Sequence, residues 1–560
     1  PPERCFEVLQ GLLDTQPVQA TPFLVEWPKL LKSYVGGTPP LLRKMEKTQD
    51  QDGEDSAENR AFRLELQRMD PPRREARLLE FFTNQLAEIM GMELDELDVV
   101  QPLNTLGLDS LMAIELRNKM ETQLRVALPM AKFLEGPSVT SLAQFVAEAM
   151  AGGEAQLSEL PRTASESSDQ HPLSHGQQAL WFLYQLAPQS TPYNIYAVPR
   201  IRGKLDLDAL HAAFQALCDR HGALRTTFHD DQGRPYQRVH DAWSVELPVE
   251  DAAEWSEEEL LRKMGEKVAE PFDLQAAPPW RVTVYKRSAD HYLVLWTVHH
   301  IITDFWSIVM CADECRKMFA SARDRAPLEL PPLKLPYTDF ARWQGTMLSG
   351  PEGERHWEYW QRQLSGELPV LNLPTDYPRP PMQTFEGSVL FRPLDGELSK
   401  QIYQLCAESG VTPHTFLLSV YHALLHRYTN QDEILVGTPT AGRTRAEFSQ
   451  TAGYYVNPVV IRADFAGQPT FRELLTQVRE RMHGALEHQD FPFSLLVEKL
   501  HPARDPSRSP VFETMFVWEK TQHMDESEGT SMLVAEAGSR WQFGDLDFES
   551  IALPQRFSQF

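Results

Sequence analysis

His291-Tyr-Leu-Val-Leu-Trp-Thr-Val-His299-His300-Ile-Ile-Thr-Asp304-Phe-Trp-Ser307 is the stretch on which the reading of this chain turns. Its first eight residues are mostly β-branched, aromatic or leucine and predict a buried strand. The strand finishes in two histidines, with an acid four residues after the second. That order places a proton acceptor at the edge of a core. Successive side chains on a strand point to opposite faces, so His299 and His300 should diverge. One can then serve a reaction chamber while the other is locked into the scaffold. The same divergence argues against a metal centre, since adjacent strand histidines rarely converge on one ion.

Outward from this stretch, helical and strand patterns alternate. Residues 205–221 read as an amphipathic helix, 223–228 and 280–285 as strands, and 308–320 as a helix leaving the histidines. Residues 413–427 read as a helix leading into a strand at 433–437. Such alternation predicts two α/β lobes within 171–560, about 171–350 and about 351–560.

Far upstream lies Leu106-Gly-Leu-Asp109-Ser110-Leu111, followed by the helical pattern Met112 to Met120. An Asp-Ser pair at a helix start presents a hydroxyl at the positive end of the helix dipole, although taken alone such a pair is usually a simple N-cap. Helical periodicity recurs at 75–91, 110–124 and 138–150, which predicts a compact helical unit over 75–150. Polar, charge-dense stretches at 37–74 and 151–170 read as linkers. Residues 1–36 hold one helical and one strand pattern, too little to bury a core alone.

The net charge of -25 over 560 residues disfavours nucleic acid and anionic membranes as partners. No apolar run is long enough to span a bilayer. The five cysteines (Cys5, Cys218, Cys311, Cys315, Cys406) are scattered and odd in number, as expected of buried thiols in the cytoplasm.

Several motifs together carry a resemblance. Leu173-Ser-His-Gly-Gln-Gln-Ala-Leu-Trp181, Arg220-His-Gly-Ala-Leu-Arg225-Thr-Thr-Phe228, His299 to Ser307 and Tyr337-Thr-Asp-Phe-Ala-Arg-Trp343 occur in the order found in condensation domains of nonribosomal peptide synthetases. Ala452-Gly-Tyr-Tyr-Val-Asn457, His488-Gln-Asp-Phe-Pro-Phe493 and Arg504-Asp-Pro-Ser-Arg-Ser-Pro510 complete the series. Residues 171–560 thus resemble such a domain, an α/β two-lobed fold like chloramphenicol acetyltransferase, here expected to be truncated at its C-terminus. Residues 75–150 resemble the acyl carrier protein of modular polyketide synthases, a small α-helical bundle. Residues 1–36 resemble the C-terminal remnant of a ketoreductase domain. The expected whole is an excerpt of a hybrid polyketide synthase and nonribosomal peptide synthetase.

The resemblance implies roles for particular residues. Ser110 would carry a covalent 4′-phosphopantetheine, attached by a phosphopantetheinyl transferase. His300 would stand beside the reacting amine, with His299, Asp304 and Arg225 supporting the site and Arg225 pairing with Asp304. Upstream ketosynthase and acyltransferase domains would supply a ketide, and the condensation domain would transfer it to the amine of an aminoacyl thioester on a downstream peptidyl carrier. A catalytically silent scaffold and an ester-forming transferase are the alternatives. Phe305 stands where the family commonly has glycine, which would narrow the tunnel and suit a ketide donor. Asn457-Pro458 replaces the more frequent Asn-Thr. His175, His356, His414 and His488 are expected to be packing or surface residues.

Overall fold

The computed structural model describes residues 57–90, 97–103, 137–152, 169–390, 394–502, 507–519 and 540–553, with a few isolated positions between. Ser110 and residues 1–36 lie outside the described residues. The chain divides into two compact units, Pro1–Glu65 and Leu66–Phe560.

Part of the expected linker is helical: α1 spans Ala57–Arg68. Its Ala, Leu, Glu, Gln and Arg residues are strong helix formers, so a polar composition here does not mean an irregular chain. Helix α2 (Pro71–Met90) and α3 (Val139–Gly152) form the described part of the helical unit. Leu78, Phe82 and Leu86 of α2 and Leu142, Ala143 and Val146 of α3 are buried. Gln144 Nε2 donates to Glu75 Oε1 at 2.9 Å across the pair.

From residue 170 the order is β1 (Gln170–Pro172), α4 (His175–Leu186), β2 (Asn194–Ala197), β3 (Pro199–Arg202), α5 (Leu207–Arg220), β4 (Thr226–Asp231), β5 (Arg234–Val239) and β6 (Val249–Asp251). Then come α6 (Glu257–Val268), β7 (Trp280–Ser288), β8 (His291–His299), α7 (Phe305–Asp324), α8 (Tyr337–Leu348) and α9 (Pro351–Gln363). The second lobe adds α10 (Gly396–Ser409), α11 (Pro413–Thr429), β9 (Glu433–Thr440), β10 (Asn457–Asp464), α12 (Phe471–Glu487) and α13 (Phe493–Leu500). The last strands are β11 (Arg540–Phe543) and β12 (Leu546–Ser550).

Strand β8 sits inside a seven-stranded sheet of order β11-β12-β3-β8-β7-β6, with β2 also paired to β8. Only β6 and β7 are parallel among these pairs. Every residue of β8 after His291 is buried, because both faces of the sheet are covered. Tyr292, Val294, Trp296 and Val298 join the main core with α5 and α7, while Leu293 and Leu295 pack with Leu260 and Met264 of α6. The two-residue alternation of the sequence therefore divides two cores.

The expected lobe boundary needs one correction. Strands β11 and β12, placed by the sequence in the second lobe, belong to the first lobe's sheet, with Asp547 opposite Arg202 and Ser550 opposite Pro199. Without β12 the outer edge of β3 would present unpaired backbone groups. The second lobe's own sheet is the antiparallel pair β9 and β10, in register from Thr440 opposite Asn457 to Glu433 opposite Asp464. No helix among the described residues is long and apolar enough to cross a membrane.

Candidate active site

The end of β8 falls between the two histidines, His299 being its last residue and His300 the first of the turn that follows, and their hydrogen bonds differ. His299 is buried, and its Nδ1 accepts the Ile301 backbone N–H at 3.1 Å. The lone pair of that ring is therefore occupied and its proton sits on Nε2. Burial, then the charge of His300, pushes the His299 pKa down to about 3. His300 opens a short 3₁₀ turn, His300–Ile302, and its backbone N–H donates to Tyr193 O at 2.8 Å. Its Nδ1 lies 2.7 Å from the Thr303 carbonyl oxygen. A carbonyl can only accept, so Nδ1 is the protonated nitrogen and Nε2 keeps its lone pair. Burial lowers the pKa of His300, opposed by the Thr303 hydrogen bond and the Asp304 charge. The ring of Tyr454 meets the imidazole edge to face, with centroids 5.0 Å apart and planes at 80°.

Asp304 caps α7, its Oδ1 accepting the Ser307 N–H at 2.8 Å. The same oxygen takes Arg443 Nη2 at 3.2 Å, and Oδ2 takes the Tyr455 N–H at 3.0 Å. Arg443, 1% exposed, also donates to the carbonyls of Phe448 (2.6 Å) and Thr451 (2.8 Å) and to Ser307 Oγ (2.6 Å). Its guanidinium lies 3.9 Å above the Tyr455 ring centroid. The expected Asp304–Arg225 pair is thus corrected to Asp304–Arg443. Arg225 donates to the carbonyls of Cys218 (3.0 Å), Asp219 (3.3 Å), His240 and Asp241 (3.0 Å). It follows α5 by a few residues, so its cation satisfies the orphan carbonyls of that helix end.

These bonds fasten the β9–β10 connection of the second lobe onto the first. Ser307 Oγ donates to Gly453 O at 2.9 Å and accepts the Gly453 N–H at 3.1 Å. Trp306 Nε1 donates to Ser449 O at 3.1 Å, and the Tyr337 hydroxyl to Tyr454 O at 2.7 Å. His221 accepts the Ala452 N–H on Nδ1 (3.4 Å), so its Nε2–H donates to Glu314 at 2.8 Å. Burial works to raise the Glu314 pKa, but the His221 hydrogen bond and the charge and hydrogen bond of Arg220 hold it below the ordinary value. Asn457 Nδ2 donates to Gln489 O and Phe491 O, both at 2.8 Å, joining the fifth and sixth sequence motifs. Phe305 is the half-buried first residue of α7.

Arg443 and Glu314 lie outside every motif quoted from the sequence, and His221, Tyr337 and Tyr454 lie within those motifs without an individual role being legible. Arg443 and Arg445 look alike in Gly442-Arg-Thr-Arg445, and only the fold selects the first. The other expected histidines pack as predicted: His414 Nε2 meets Thr438 Oγ1 at 2.9 Å, and His356 Nδ1 meets His488 Nδ1 at 2.9 Å. His175 is half-buried at the start of α4. Cys311 and Cys315 are buried free thiols, their pKa values raised by burial, that of Cys315 to about 12. Among the described residues no cluster of three or more His, Cys, Asp or Glu side chains could hold a metal.

Burial of neutral imidazole has a consequence for stability. The pKa values of His299 and His422 are lowered to about 3, and those of His356, His414 and His488 to about 4, burial being the first cause in each. An unfolded chain would protonate these rings below pH ~6.5 while the native state leaves them neutral. Stability is therefore full above that pH and is lost as pH falls towards 4, by ~1.4 kcal/mol per pH unit for each ring. Thermal unfolding followed from pH 7.5 to 5 should show a steadily falling midpoint below 6.5. An unchanged midpoint would contradict the assignment of neutral buried histidines.

A half-buried imidazole therefore stands where the first lobe meets Tyr454 of the second, in a chain that also holds helices α2 and α3 upstream. Residues 167–545 match the condensation domain family and residues 80–146 the phosphopantetheine attachment site family, so the chain belongs to the condensation-domain family. It is 36% identical over 434 residues to gramicidin S synthase 2 of Aneurinibacillus migulanus, covering 77% of this chain and 9% of that one. It is 37% identical over 413 residues to tyrocidine synthase 3 of Brevibacillus parabrevis, covering 73% and 6%. The chain thus spans 9% and 6% of the length of these curated relatives. Among solved structures, the X-domain from teicoplanin biosynthesis is 27% identical, with a TM-score of 0.58 over 64% of this chain and 79% of that one. A four-domain nonribosomal peptide synthetase shares the fold at a TM-score of 0.63 and 24% identity, covering 71% and 30%. The two-lobed α/β fold and the helical carrier expected from the sequence are both confirmed. The carrier family takes a covalent 4′-phosphopantetheine.

Proposed function

We propose that the carrier, loaded on Ser110, presents an acyl thioester to the junction of the two lobes, and that His300 assists its transfer to an amine held by a downstream carrier. The observation that supports this most is the contrast in lone pairs. His299 spends its acceptor nitrogen on Ile301, whereas His300 anchors Nδ1 on Thr303 and leaves Nε2 as an acceptor. Burial keeps His300 neutral at physiological pH, the form that can take a hydrogen bond from an amine. As the C–N bond forms and the thiolate leaves, the amine proton moves to Nε2. Much of the acceleration comes from holding two tethered reactants together. His299, Asp304 and Arg443 are assigned to holding the turn, and Arg225 to closing α5.

Ser110 carries the only hydroxyl within residues 106–111, and a phosphodiester requires one. The attached group supplies a long arm with a terminal thiol that holds the acyl chain. A phosphopantetheinyl transferase and a downstream aminoacyl-loaded carrier are the partners this reading requires. Gly107-Leu-Asp-Ser110 supports a ketide donor, made by upstream ketosynthase and acyltransferase domains in a hybrid assembly line. The relatives' names speak for peptide synthesis, so the donor class is tested directly. Intact-mass measurement after incubation with the transferase and either a ketide or an aminoacyl coenzyme A should show a single addition. Ser110→Ala should abolish it, and single-site labelling of that variant would contradict the assignment. Adding an aminoacyl carrier should then move the ketide onto it as an acid-stable amide. Loss of the acyl group to water alone, with no acyl-amide, would overturn the transferase reading.

A further inference from the structure

The imidazole of His300 is fixed by one side-chain hydrogen bond, so what bears on its ring decides where Nε2 points. The ring of Tyr454 is that neighbour. Gly176, the second residue of α4, bears on the same tyrosine ring: a Cβ there would lie 2.7 Å from Tyr454 Cε1 and 3.0 Å from Cδ1. Both distances are shorter than a carbon–carbon contact tolerates. Gly176 is needed here for close approach.

We infer that Gly176 and Tyr454 are a matched pair that positions His300, the glycine leaving the space that lets the tyrosine ring lie against the imidazole. Neither backbone can retreat to admit a methyl group. At the start of α4, Ser174 and Gln177 form a reciprocal capping box, and Ser174 Oγ lies 2.8 Å from the Tyr337 hydroxyl. His175 N–H donates to Gln344 Oε1 at 2.9 Å, and Gln177 Nε2 to Ile301 O at 3.1 Å, inside the His300 turn itself. On the tyrosine side, the Tyr454 carbonyl holds the Tyr337 hydroxyl at 2.7 Å. Its neighbours Gly453 and Tyr455 are pinned by Ser307 and Asp304. An added methyl must therefore move the Tyr454 ring, and the ring rests on His300. Tyr454 acts through His300 and is a positioning residue.

The inference rests on the proposed role of His300, and the test separates the two. Wild type, Gly176→Ala, Tyr454→Leu, the double variant carrying both substitutions, and His300→Ala are loaded on Ser110 and assayed for acyl transfer to an aminoacyl carrier, with kcat and KM determined and melting recorded. Gly176→Ala should lower kcat roughly tenfold to a hundredfold, the scale of a small misplacement, with KM for the acceptor carrier within about twofold. Tyr454→Leu should also lower kcat. In the Tyr454→Leu background, Gly176→Ala should have no further effect on kcat or melting, because the clash is gone. Equal losses from Gly176→Ala in both backgrounds, or none in either, would overturn the pairing while leaving His300 in place. Wild-type kcat in folded His300→Ala would overturn the role of His300 and this inference with it.

Discussion

Arg443→Ala should destabilise the condensation domain by about 3–5 kcal/mol, the cost of stranding one member of a buried charge pair. Asp304 and Arg443 are 2% and 1% exposed, so solvent cannot replace the lost partner. Removing the guanidinium leaves the Asp304 carboxylate with the Ser307 and Tyr455 N–H groups alone. It also takes a donor from the carbonyls of Phe448 and Thr451, which are anchor points of the β9–β10 connection. Asp304→Ala should behave similarly and lose the cap of α7 as well. Arg225→Ala, by contrast, removes one helix-end cation and should cost about 1 kcal/mol. Melting and denaturant unfolding of the three variants would check the order. A stable, soluble Asp304→Ala that has lost transfer would assign Asp304 a direct chemical part and contradict the bracing role.

The pattern of what is legible in the sequence follows from the range of the forces involved. Strand β8 depends on local periodicity, so residue types alone reveal 291–299, whereas the 3₁₀ turn that takes His300 out of the strand is not part of that pattern. Helix α7 is similarly visible, because an acid followed by an apolar periodic run is a local start signal. Long-range pairing is not. Asp304 and Arg443 are 139 residues apart, and nothing within either segment distinguishes Arg443 from Arg225 as a partner. Arg225 sits nearer in sequence and in a recognised motif, yet the end of α5 claims it. The return of β12 to the first lobe is hidden for the same reason, since edge pairing depends on which strand edge lies open. Gly176 looks like one more residue of an opening motif until the Tyr454 ring is placed against it.

His300→Ala should reduce acyl transfer by roughly 10²–10⁴, the loss expected when a positioned proton acceptor is removed. Loading of Ser110 should be untouched, because that step occurs on the carrier. His299→Ala should instead lower stability, since it deletes a buried ring and orphans the Ile301 N–H. The lowered pKa of His300 gives the expected pH dependence its sign. Neutral imidazole persists below the ordinary histidine pKa of ~6.5, so the acid limb of kcat should lie below that pH. The most direct measurement is single-turnover transfer from acyl-loaded Ser110 to an aminoacyl carrier, followed by intact mass for wild type and His300→Ala across pH 5.5–8. Wild type should form the amide, and the folded, fully loaded variant should be slower by at least roughly a hundredfold. Transfer by that variant at the wild-type rate would contradict the role of His300 and leave a carrier with a scaffold.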